Sequence, residues 1–214
     1  MQFNKKILFL IQQAGSLLQT PRSHVRSLGN AFDTVASHSN HASIIAYCLA
    51  RMEELNHAEA MKALSMAAFH DLAEGRTGDL DFVSKNYTQD DEERAIKDQF
   101  KNIDFGADLK KLLKEYNERK TLVSQCAKDA DSLAQMYHEW VLTWRGNKLA
   151  EKWFEGDFIA RVPYFHTKSA KQLAFAMKKS NPNEWWWDEF VTKDGKAKTK
   201  EHLLGKNYSD KKKK

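Results

Sequence analysis

The chain runs from the apolar segment Met66-Ala67-Ala68-Phe69 directly into the polar sequence His70-Asp71-Leu72-Ala73-Glu74-Gly75-Arg76-Thr77-Gly78-Asp79. Apolar residues three or four apart before this point predict a helix over residues 58–74. On that helix His70 and Glu74 share one face, and Asp71 lies about 100° around from His70. The helix end can therefore present an imidazole and a carboxylate to one cation, although a lone His-Asp pair is more often structural.

Helical periodicity extends over most of the chain on both sides of this segment. Only 9 Gly and 3 Pro interrupt it, and no alternation of period two is sustained, so any sheet is minor. The pattern predicts helices over residues 3–20, 37–55, 58–74, 88–102, 107–119, 122–145, 148–160 and 167–179. The sequence therefore predicts an all-α, single-domain helical bundle, in which helices 37–55 and 58–74 pack as an antiparallel pair.

The composition excludes several classes of protein. The chain has 214 residues, 42% of them hydrophobic, which is enough for a sizeable core and unlike a disordered or collagen-like sequence. No apolar run reaches the length of a membrane span, and Ile7-Leu8-Phe9-Leu10-Ile11 is too short for a signal peptide. Two cysteines are too few for a disulfide framework, so we predict a cytoplasmic protein in which Cys48 and Cys126 are buried thiols.

The excess positive charge lies at the carboxyl end of the chain. The net charge is +5, but residues 193–214 contain nine Lys and three acidic residues, which leaves 25 basic and 26 acidic residues elsewhere. We therefore divide the chain into a domain over residues 1–190 and a Lys-rich, flexible tail over residues 191–214. Nucleic acid is not the expected partner. The run Trp185-Trp186-Trp187 is interpreted as a segment docked on the helical body rather than a base-stacking platform.

Two further residues can join His70 and Asp71. His38 starts the helix over 37–55, and antiparallel pairing brings that start beside the end of the next helix. Asp131 lies in the apolar helix over 122–145, where a carboxylate needs a partner or a cation. Two imidazoles and two carboxylates form a mixed N/O ligand set suited to a catalytic divalent cation such as Mn, Fe, Co, Ni, Zn or Mg.

These four residues resemble the H…HD…D signature of the HD-domain metal-dependent phosphohydrolases. The match is closest to the branch that contains the bacterial 5′-deoxynucleotidases and HD-domain-containing protein 2. It consists of Pro21-Arg22-Ser23, Asp33-Thr34-Val35-Ala36-Ser37-His38-Ser39, His70-Asp71-Leu72-Ala73-Glu74 with Thr77-Gly78-Asp79, and Ala130-Asp131-Ser132-Leu133. The similarity covers residues 20–145, and more weakly the helix at 167–179 and the Trp run.

The resemblance implies a role for each matching residue. One divalent cation, whose identity among Mn, Co, Mg, Ni, Fe and Zn stays open, would be bound by His38, His70, Asp71 and Asp131. Arg22 would bind the substrate phosphate. Glu74 would be the catalytic residue that orients or deprotonates the attacking water, or that acts as the proton donor. Asp79 would position the substrate sugar or the leaving group.

The chain departs from the pattern of this branch at two positions. Ser23 stands where the deoxynucleotidases carry a Trp that helps to exclude ribose, so deoxyribose selectivity does not follow from the resemblance. Ser37 stands where an acidic residue usually precedes the first His, so a contact that would orient His38 is missing or is supplied elsewhere.

Several assignments have rivals nearby in the sequence. Arg26 is an alternative to Arg22 as the phosphate ligand, and Asp129 is an alternative to Asp131 as the metal ligand. His41, three residues after His38, is interpreted as a polar helix residue beside the site. The pair His138 and Glu139 lies two turns after Asp131 on the same helix, where it can line a pocket or a dimer contact.

The resemblance implies a metal-dependent phosphohydrolase, and most directly a 5′-nucleotidase that releases phosphate from (deoxy)nucleoside 5′-monophosphates. A small-molecule nucleotide is then the expected partner. A homodimer is the expected assembly, because members of this family often form one. One alternative is hydrolysis of a cyclic nucleotide, a nucleoside triphosphate or an alarmone, which would require extra metal ligands or a basic pocket. The other alternative is a non-catalytic nucleotide- or nucleic-acid-binding module, which the presence of all four ligand positions and Glu74 disfavours.

Overall fold

A computed structural model of the chain describes residues 5–29, 32–89 and 91–198. Its α-helices are α1 (Lys5–Ser16), α2 (Val25–Leu28), α3 (Val35–Met52), α4 (His57–Phe69), α5 (Glu74–Thr77), α6 (Glu92–Gln99), α7 (Gly106–Glu118), α8 (Leu122–Trp144), α9 (Lys148–Ala160), α10 (Lys168–Lys179) and α11 (Glu184–Phe190). Short 3-10 helices occupy Ser84–Asn86 and Val162–Tyr164. Within the described ranges there is no strand, only isolated bridges that join Pro21 to Thr34 and Val191 to Ala197. The all-α prediction is confirmed.

Hydrogen-bonded caps fix where the three central helices begin. Thr34, Asn56 and Thr121 each accept a hydrogen bond from the backbone N–H three residues later, and the side chain at that later position bonds back to the cap. This capping box satisfies two backbone N–H groups that would otherwise lack a partner. The first residues of α3, α4 and α8 are therefore well defined, which also sets the face that each helix turns to the core.

Alanine packing brings α3, α4 and α8 close together. Their facing sides carry small buried residues, namely Ala42, Ala46, Ala50, Ala60, Ala63, Ala67, Ala127, Ala130 and Ala134. Larger side chains such as Leu49, Met66 and Leu133 fill the space around these contacts. Because alanine adds one methyl group to the backbone, the helices can approach closely. Polar residues at the ends of these helices are thereby brought within reach of one another.

The remaining helices surround this central group. A second apolar cluster contains Leu10 of α1, Phe100 after α6 and Leu113 of α7, and it packs around Val35 and Leu72 at the ends of α3 and α4. α9 and α10 pack against α8. No helix in the described part of the chain is both long and apolar enough to cross a membrane.

A short pairing ties the loop before α2 to the start of α3. The Arg22 N–H donates to the Asp33 carbonyl oxygen at 3.1 Å, and the Val35 N–H donates to the Thr20 carbonyl oxygen at 2.9 Å. These bonds close the loop that begins at Pro21 and fix the backbone of Arg22 beside the first turn of α3.

The largest difference from the predicted helices lies at the polar run. α4 ends at Phe69 rather than at residue 74, so that His70 and Asp71 occupy a turn and Glu74 begins α5. Within that turn the Leu72 N–H bonds to the Phe69 carbonyl oxygen and the Glu74 N–H bonds to the Asp71 carbonyl oxygen, both three residues back. This tighter winding replaces the regular helix that would have placed His70 and Glu74 on one face.

The predicted burial of both cysteines is wrong for one of them. Cys126 is buried, but Cys48 is exposed. α3 turns Ala42, Ala46 and Leu49 to the core. Cys48 precedes Leu49 by one residue, about 100° around the helix, and therefore faces outward.

The predicted docking of the Trp run is not observed. The run lies in the short helix α11, where Trp185 and Trp187 are 71% and 48% exposed and Trp186 is partly buried. Residues 191–198 then form a turn closed by the bridge between Val191 and Ala197. The rest of the predicted tail, residues 199–214, lies outside the described residues, and the domain boundary at 190 stays a prediction.

We predict that Gly106→Ala lowers the free energy of unfolding by about 2 kcal/mol, because the added methyl group would overlap the carbonyl oxygen of Phe100 at the start of α7. Gly15→Ala is the matched control, since nothing lies within 4 Å of an added methyl group there and alanine favours the helix. Urea unfolding followed by circular dichroism measures both. Equal stability of the two variants would contradict the close contact.

Candidate metal centre

Three helices contribute residues to one polar cluster. His38 lies in the first turn of α3, Asp131 lies midway along α8, and His70 and Asp71 occupy the turn after α4. Ser37, which stands in the place of the expected acid, belongs to the α3 cap: its Oγ accepts from the Thr34 N–H at 2.9 Å and donates to Asp33 Oδ1 at 2.8 Å. Ser37 therefore fixes the start of the helix that carries His38.

The four predicted ligands converge on one point. His38 Nε2 lies 3.0 Å from Asp131 Oδ1 and 3.8 Å from Asp71 Oδ2. His70 Nε2 lies 3.1 Å from Asp71 Oδ2 and 3.5 Å from Asp131 Oδ1. The centroids of the two imidazole rings are 5.5 Å apart. All four side chains predicted from the sequence are thus brought together.

Neighbouring groups orient these side chains. His70 Nδ1 lies 2.7 Å from the Ala67 carbonyl oxygen, to which it can donate, so Nε2 is directed at the carboxylates. Lys128 Nζ donates to Asp131 Oδ2 at 2.7 Å, and the Tyr116 hydroxyl donates to the same oxygen at 3.2 Å. With Oδ2 occupied in this way, Asp131 presents Oδ1 to the imidazoles. Lys128 precedes Asp131 by three residues, a spacing from which a contact on one helix face can be predicted. The contact of Tyr116 with Asp131 cannot be predicted in this way, because Tyr116 lies on another helix.

The charges in the cluster depend on one another. Burial alone would lower the pKa of His70, but the carboxylates of Asp71 and Asp131 raise it well above its usual value. Burial alone would raise the pKa of Asp131, but the two imidazoles and the Lys128 ammonium group hold it well below its usual value. The carboxylates are therefore ionised, and they draw positive charge into the cluster.

The donor set fits a divalent cation. It offers two imidazole nitrogens together with oxygens from two carboxylates, a mixed set suited to Mn, Fe, Co, Ni or Zn. Within the described part of the chain, the buried His70 Nε2 has no hydrogen-bond partner in correct geometry, although carboxylate oxygens of Asp71 and Asp131 lie 3.1 Å and 3.5 Å away. A cation bound by His38, His70 and Asp71 would engage this nitrogen, and the ligand atoms of these three residues lie within 4.8 Å of one another.

Three more predicted residues border the cluster. Arg22 Nη1 lies 3.3 Å from Asp71 Oδ2 and 3.0 Å from Asp79 Oδ2, and the Ser23 N–H donates to the same Asp79 oxygen at 2.9 Å. Glu74 Oε2 is buried and has no hydrogen-bond partner among the described residues. Burial and the charges of Asp71 and Asp79 raise the pKa of Glu74 to about 9, so its carboxyl holds a proton at neutral pH in the metal-free protein.

The rival residues lie in other surroundings. Arg26 has a side chain 67% exposed and pairs with Asp81 at 2.7 Å rather than with Asp71 or Asp79. Asp129 accepts hydrogen bonds from the Thr167 N–H at 2.7 Å and the Thr167 hydroxyl at 2.8 Å, so it anchors the start of α10. The His41 ring packs against the Tyr137 ring at 4.6 Å between centroids.

A second group of titratable side chains was missed from the sequence. Asp33 Oδ2 lies 3.0 Å from His24 Nε2 and 3.6 Å from His138 Nδ1, and the two imidazole rings are 4.5 Å apart between centroids. Burial is the main cause that lowers the pKa of His138 to about 4. His24 lies in the loop before α2, Asp33 lies in the segment before α3, and His138 lies in the second half of α8. No regular spacing in the sequence therefore predicts that they meet.

A cavity of about 730 Å³ opens beside the cluster, between α8, α9 and the loops that flank α2 and follow α5. Arg22, Asp79 and Asp131 line one part of its wall, and Ser23 and Ser132 lie next to them. Phe82 and Trp153 line another part, with ring centroids 5.7 Å apart. This volume lies in the range of about 300–1,000 Å³ typical of small-molecule sites.

Two carboxyl groups line the cavity beyond Asp131. Glu139 and Asp157 are 2% and 8% exposed. Glu139 Oε1 accepts from Gln135 Nε2 at 2.8 Å and Asp157 Oδ1 pairs with Arg161 Nε at 3.2 Å, and the two carboxyl groups share a hydrogen bond with each other. Burial and the charge of Asp157 raise the pKa of Glu139 to about 8.

Helices that bring two His and two Asp residues around one point define a class of all-α proteins with a His/Asp metal centre. A family profile described as HD domain matches residues 14–173, and the chain belongs to that family. The expected family membership is confirmed, whereas the 5′-nucleotidase branch stays a prediction.

Solved structures share the fold. The chain is similar to the structural-genomics protein APC5600, with 28% identity, a TM-score of 0.66, and coverage of 85% of this chain and 99% of that one. A conserved hypothetical protein from Pyrococcus furiosus is 23% identical, with a TM-score of 0.67 and coverage of 81% and 99%. The PH0347 protein from Pyrococcus horikoshii is 22% identical, with a TM-score of 0.66 and coverage of 80% and 98%. No curated protein matches this sequence.

Membership of this family implies a general type of reaction. HD domains bind divalent metals, and the described residues include His/Asp groups that can hold one. Membership therefore implies metal-dependent phosphohydrolase-type activity on a small-molecule substrate.

We predict that Asp71→Ala removes bound metal, from about one ion per chain to nearly none, because it deletes a carboxylate that faces both imidazoles. Elemental analysis after reconstitution with Mn or Co measures the occupancy. Asp98→Ala is the matched control, since that carboxylate is exposed and pairs with Arg76 and Arg94 rather than with an imidazole. Full occupancy in Asp71→Ala would remove this residue from the metal centre.

We predict that Glu139 makes stability fall as the pH rises. The pKa of Glu139 is about 8 in the folded protein and near 4.5 in the unfolded chain, so between these values folding opposes ionisation. The loss reaches at most about 1.4 kcal/mol per pH unit for one group. Urea unfolding of the wild type and of Glu139→Gln between pH 5 and pH 8 tests this. The Glu74 carboxyl group also makes stability fall as the pH rises. Because it is present in both proteins, its contribution cancels in the comparison. Parallel pH profiles would contradict the prediction.

Proposed function

We propose that the protein is a metal-dependent phosphomonoester hydrolase, specifically a 5′-nucleotidase that releases phosphate from nucleoside 5′-monophosphates. The observation that carries this proposal is the position of Arg22, whose guanidinium group lies 3.3 Å from Asp71 in the His/Asp cluster and also lines the cavity. A phosphate bound by Arg22 would therefore lie beside the cation site, with the rest of the substrate in the cavity.

Each residue would have a defined task in hydrolysis. His38, His70, Asp71 and Asp131 would hold a divalent cation, which lowers the pKa of water and polarises phosphoryl oxygens. Arg22 would bind two phosphate oxygens and offset the negative charge that grows on them. Asp79, 3.0 Å from Arg22, would hold that guanidinium group in place and accept a hydrogen bond from the sugar.

Glu74 would hold the proton that the reaction requires and deliver it. Water adds to phosphorus, the bond between phosphorus and the ester oxygen breaks, and the leaving alkoxide needs a proton. Glu74 Oε2 is buried and accepts no hydrogen bond from the described residues. Burial and the negative charges of Asp71 and Asp79 raise the pKa of its carboxyl group. It is therefore the group that we assign to holding and delivering a proton at this oxygen.

The charges on the cavity wall favour one phosphate group over several. Four of the basic side chains on the wall are paired with acidic side chains: Arg22 with Asp79, Arg26 with Asp81, Lys128 with Asp131 and Arg161 with Asp157. Lys85 and Lys152 also line the wall, and no ion pair joins either of them to an acidic side chain among the described residues. A nucleoside triphosphate would need more unpaired positive charge than this arrangement offers.

Ser23 bears on the choice of sugar. It lines the cavity next to Arg22, and its small side chain takes the place of the Trp that narrows this position in the deoxynucleotidases. We therefore expect ribonucleotides and deoxyribonucleotides both to be accepted.

The test is phosphate release from metal-stripped protein with Mn, Co, Mg, Ni, Fe or Zn added back one at a time. Substrates are ribo- and deoxyribonucleoside 5′-monophosphates, ATP, a cyclic nucleotide and guanosine tetraphosphate. We expect metal-dependent phosphate release from the monophosphates of both sugars. Turnover confined to another compound, or no turnover by metal-loaded protein, would overturn the 5′-nucleotidase proposal in favour of another hydrolase or a binding module.

We predict that Glu74→Gln lowers kcat by about 10²-fold or more, the usual effect of a positioned acid or base, while bound metal stays near the wild-type level. Elemental analysis and steady-state kinetics on the same preparation measure both quantities. Glu118→Gln is the matched control, because Glu118 is an exposed carboxyl that pairs with Lys114 and Lys120. A normal kcat would reduce Glu74 to a structural role.

The assembly and the location of the protein stay predictions. A homodimer is expected from the family resemblance, and static light scattering measures it directly. The cytoplasmic location rests on the sequence alone.

A further inference from the structure

A second cluster of side chains with metal-ligand chemistry borders the cavity, and it consists of His24, Asp33 and His138. His24 Nε2 lies 3.0 Å and His138 Nδ1 lies 3.6 Å from the same oxygen, Asp33 Oδ2. The three ligand atoms all lie within 4.8 Å of one another. Donor atoms bound to one tetrahedral Zn²⁺ ion lie about 3.4 Å apart, so the observed separations suit a shared cation.

The His24 imidazole is deeply buried and its nitrogens are not satisfied. The side chain is 4% exposed, and neither ring nitrogen has a hydrogen bond in correct geometry among the described residues, although Asp33 Oδ2 lies close to Nε2. A buried polar group in this condition destabilises the fold unless another group engages it. The His70 Nε2 atom of the first cluster shows the same combination beside Asp71. A cation between the imidazole and the carboxylate would engage the His24 nitrogen.

The Asp33 carboxylate is oriented so that one oxygen remains for the imidazoles. The Ser37 hydroxyl donates to Asp33 Oδ1 at 2.8 Å, and Oδ2 faces the two imidazole rings. Asp131 is held in the same way in the first cluster, where Lys128 occupies Oδ2 and Oδ1 faces the imidazoles. Hydrogen bonds that orient a ligand from behind are typical of metal sites.

The protonation of the cluster at neutral pH is consistent with metal binding. Burial lowers the pKa of His138 to about 4, so its imidazole is neutral. Burial alone would raise the pKa of Asp33, but the His24 imidazole and the Ser37 hydroxyl hold it at about 2. A neutral imidazole and an ionised carboxylate are the forms that bind metal, so neither residue has to lose a proton first.

We propose that His24, Asp33 and His138 form a second metal site, which binds Zn²⁺ through two imidazole nitrogens and one carboxylate oxygen. Zn²⁺ forms four-coordinate sites with such donors, three from the protein and the fourth from water. The ion can enter from the cavity, whose wall includes His24. We expect Mn²⁺ and Co²⁺, which stand low in the affinity order of divalent ions, to be lost from three protein donors on desalting.

The second site joins three segments that also shape the first cluster, namely the loop that carries Arg22, the start of α3 and helix α8. These segments lie together only in the folded chain, so a cation that binds all three stabilises the fold. The role of this site is therefore structural. It does not depend on which phosphate ester the first cluster hydrolyses.

The number of bound zinc ions is the first test. Wild-type protein that is loaded with Zn²⁺ and desalted should contain about two ions per chain by elemental analysis. His24→Gln removes one ligand nitrogen and keeps a polar side chain, so it should lower the count to about one ion, and His138→Gln should do the same. His57→Gln is the matched control, since His57 is exposed at the start of α4 and bonds to the Tyr47 hydroxyl at 3.2 Å. It should keep the wild-type count.

A variant without the first cluster isolates the second site. The double variant with His38→Gln and Asp71→Ala leaves one imidazole and one carboxylate in the first cluster, and it should retain about one Zn²⁺ ion per chain. Zn²⁺ should raise the Tm of this variant by roughly 5 °C, and adding His24→Gln should abolish the increase. Circular dichroism verifies that each variant is folded.

The ion counts decide the proposal without any measurement of turnover. A wild-type count that His24→Gln and His138→Gln both leave unchanged would overturn the second site, and so would a folded double variant that binds no Zn²⁺. Loss of one of two ions in both imidazole variants, with both ions retained in His57→Gln, would establish it. Because the first cluster is counted separately, either result leaves the nucleotidase proposal to its own test.

Discussion

The close approach of α3, α4 and α8 through buried alanines is the constraint on which the rest of the structure depends. It brings the start of one helix, the end of another and the middle of a third to one point, where two imidazoles and two carboxylates meet. Larger residues at these contacts would move the helices apart and separate the donor atoms. The same alanines are therefore required both for the packing of the core and for the geometry of the cluster.

The sequence was sufficient for most of the long helices, because apolar periodicity is a local signal, and the resemblance of its motifs to a known family named the four residues that the structure brings together. Apolar periodicity marks each long helix, and α9 has the predicted bounds of 148–160. The choice between Asp129 and Asp131 is also physical: two residues on a helix point about 200° apart, so one carboxylate reaches the imidazoles and the other reaches the start of α10. Periodicity alone could not tell which helix lies on which side.

The remaining features depend on which helices become neighbours, and a single sequence does not specify this. Cys48 was predicted to be buried because it lies in an apolar helix, yet α3 turns its alanine face and Leu49 to the core, and Cys48 lies outside that face. Tyr116 and the group of His24, Asp33 and His138 reach their partners from distant segments. The end of α4 at Phe69 likewise reflects a tight turn that directs His70 and Asp71 toward α8 rather than any break in the apolar pattern.

A rigid helix also links the chemistry to the choice of substrate. Asp131 takes part in the His/Asp cluster and Glu139 lines the cavity two turns later, so α8 fixes the separation between the cluster and the far end of the cavity. Under the proposed function, a phosphate ester that fills the far end would have to keep its phosphate within reach of Arg22. Because both ends of the cavity lie along one helix, contacts at the far end would act on the position of the phosphorus atom, and selectivity would be expressed in kcat as well as in KM.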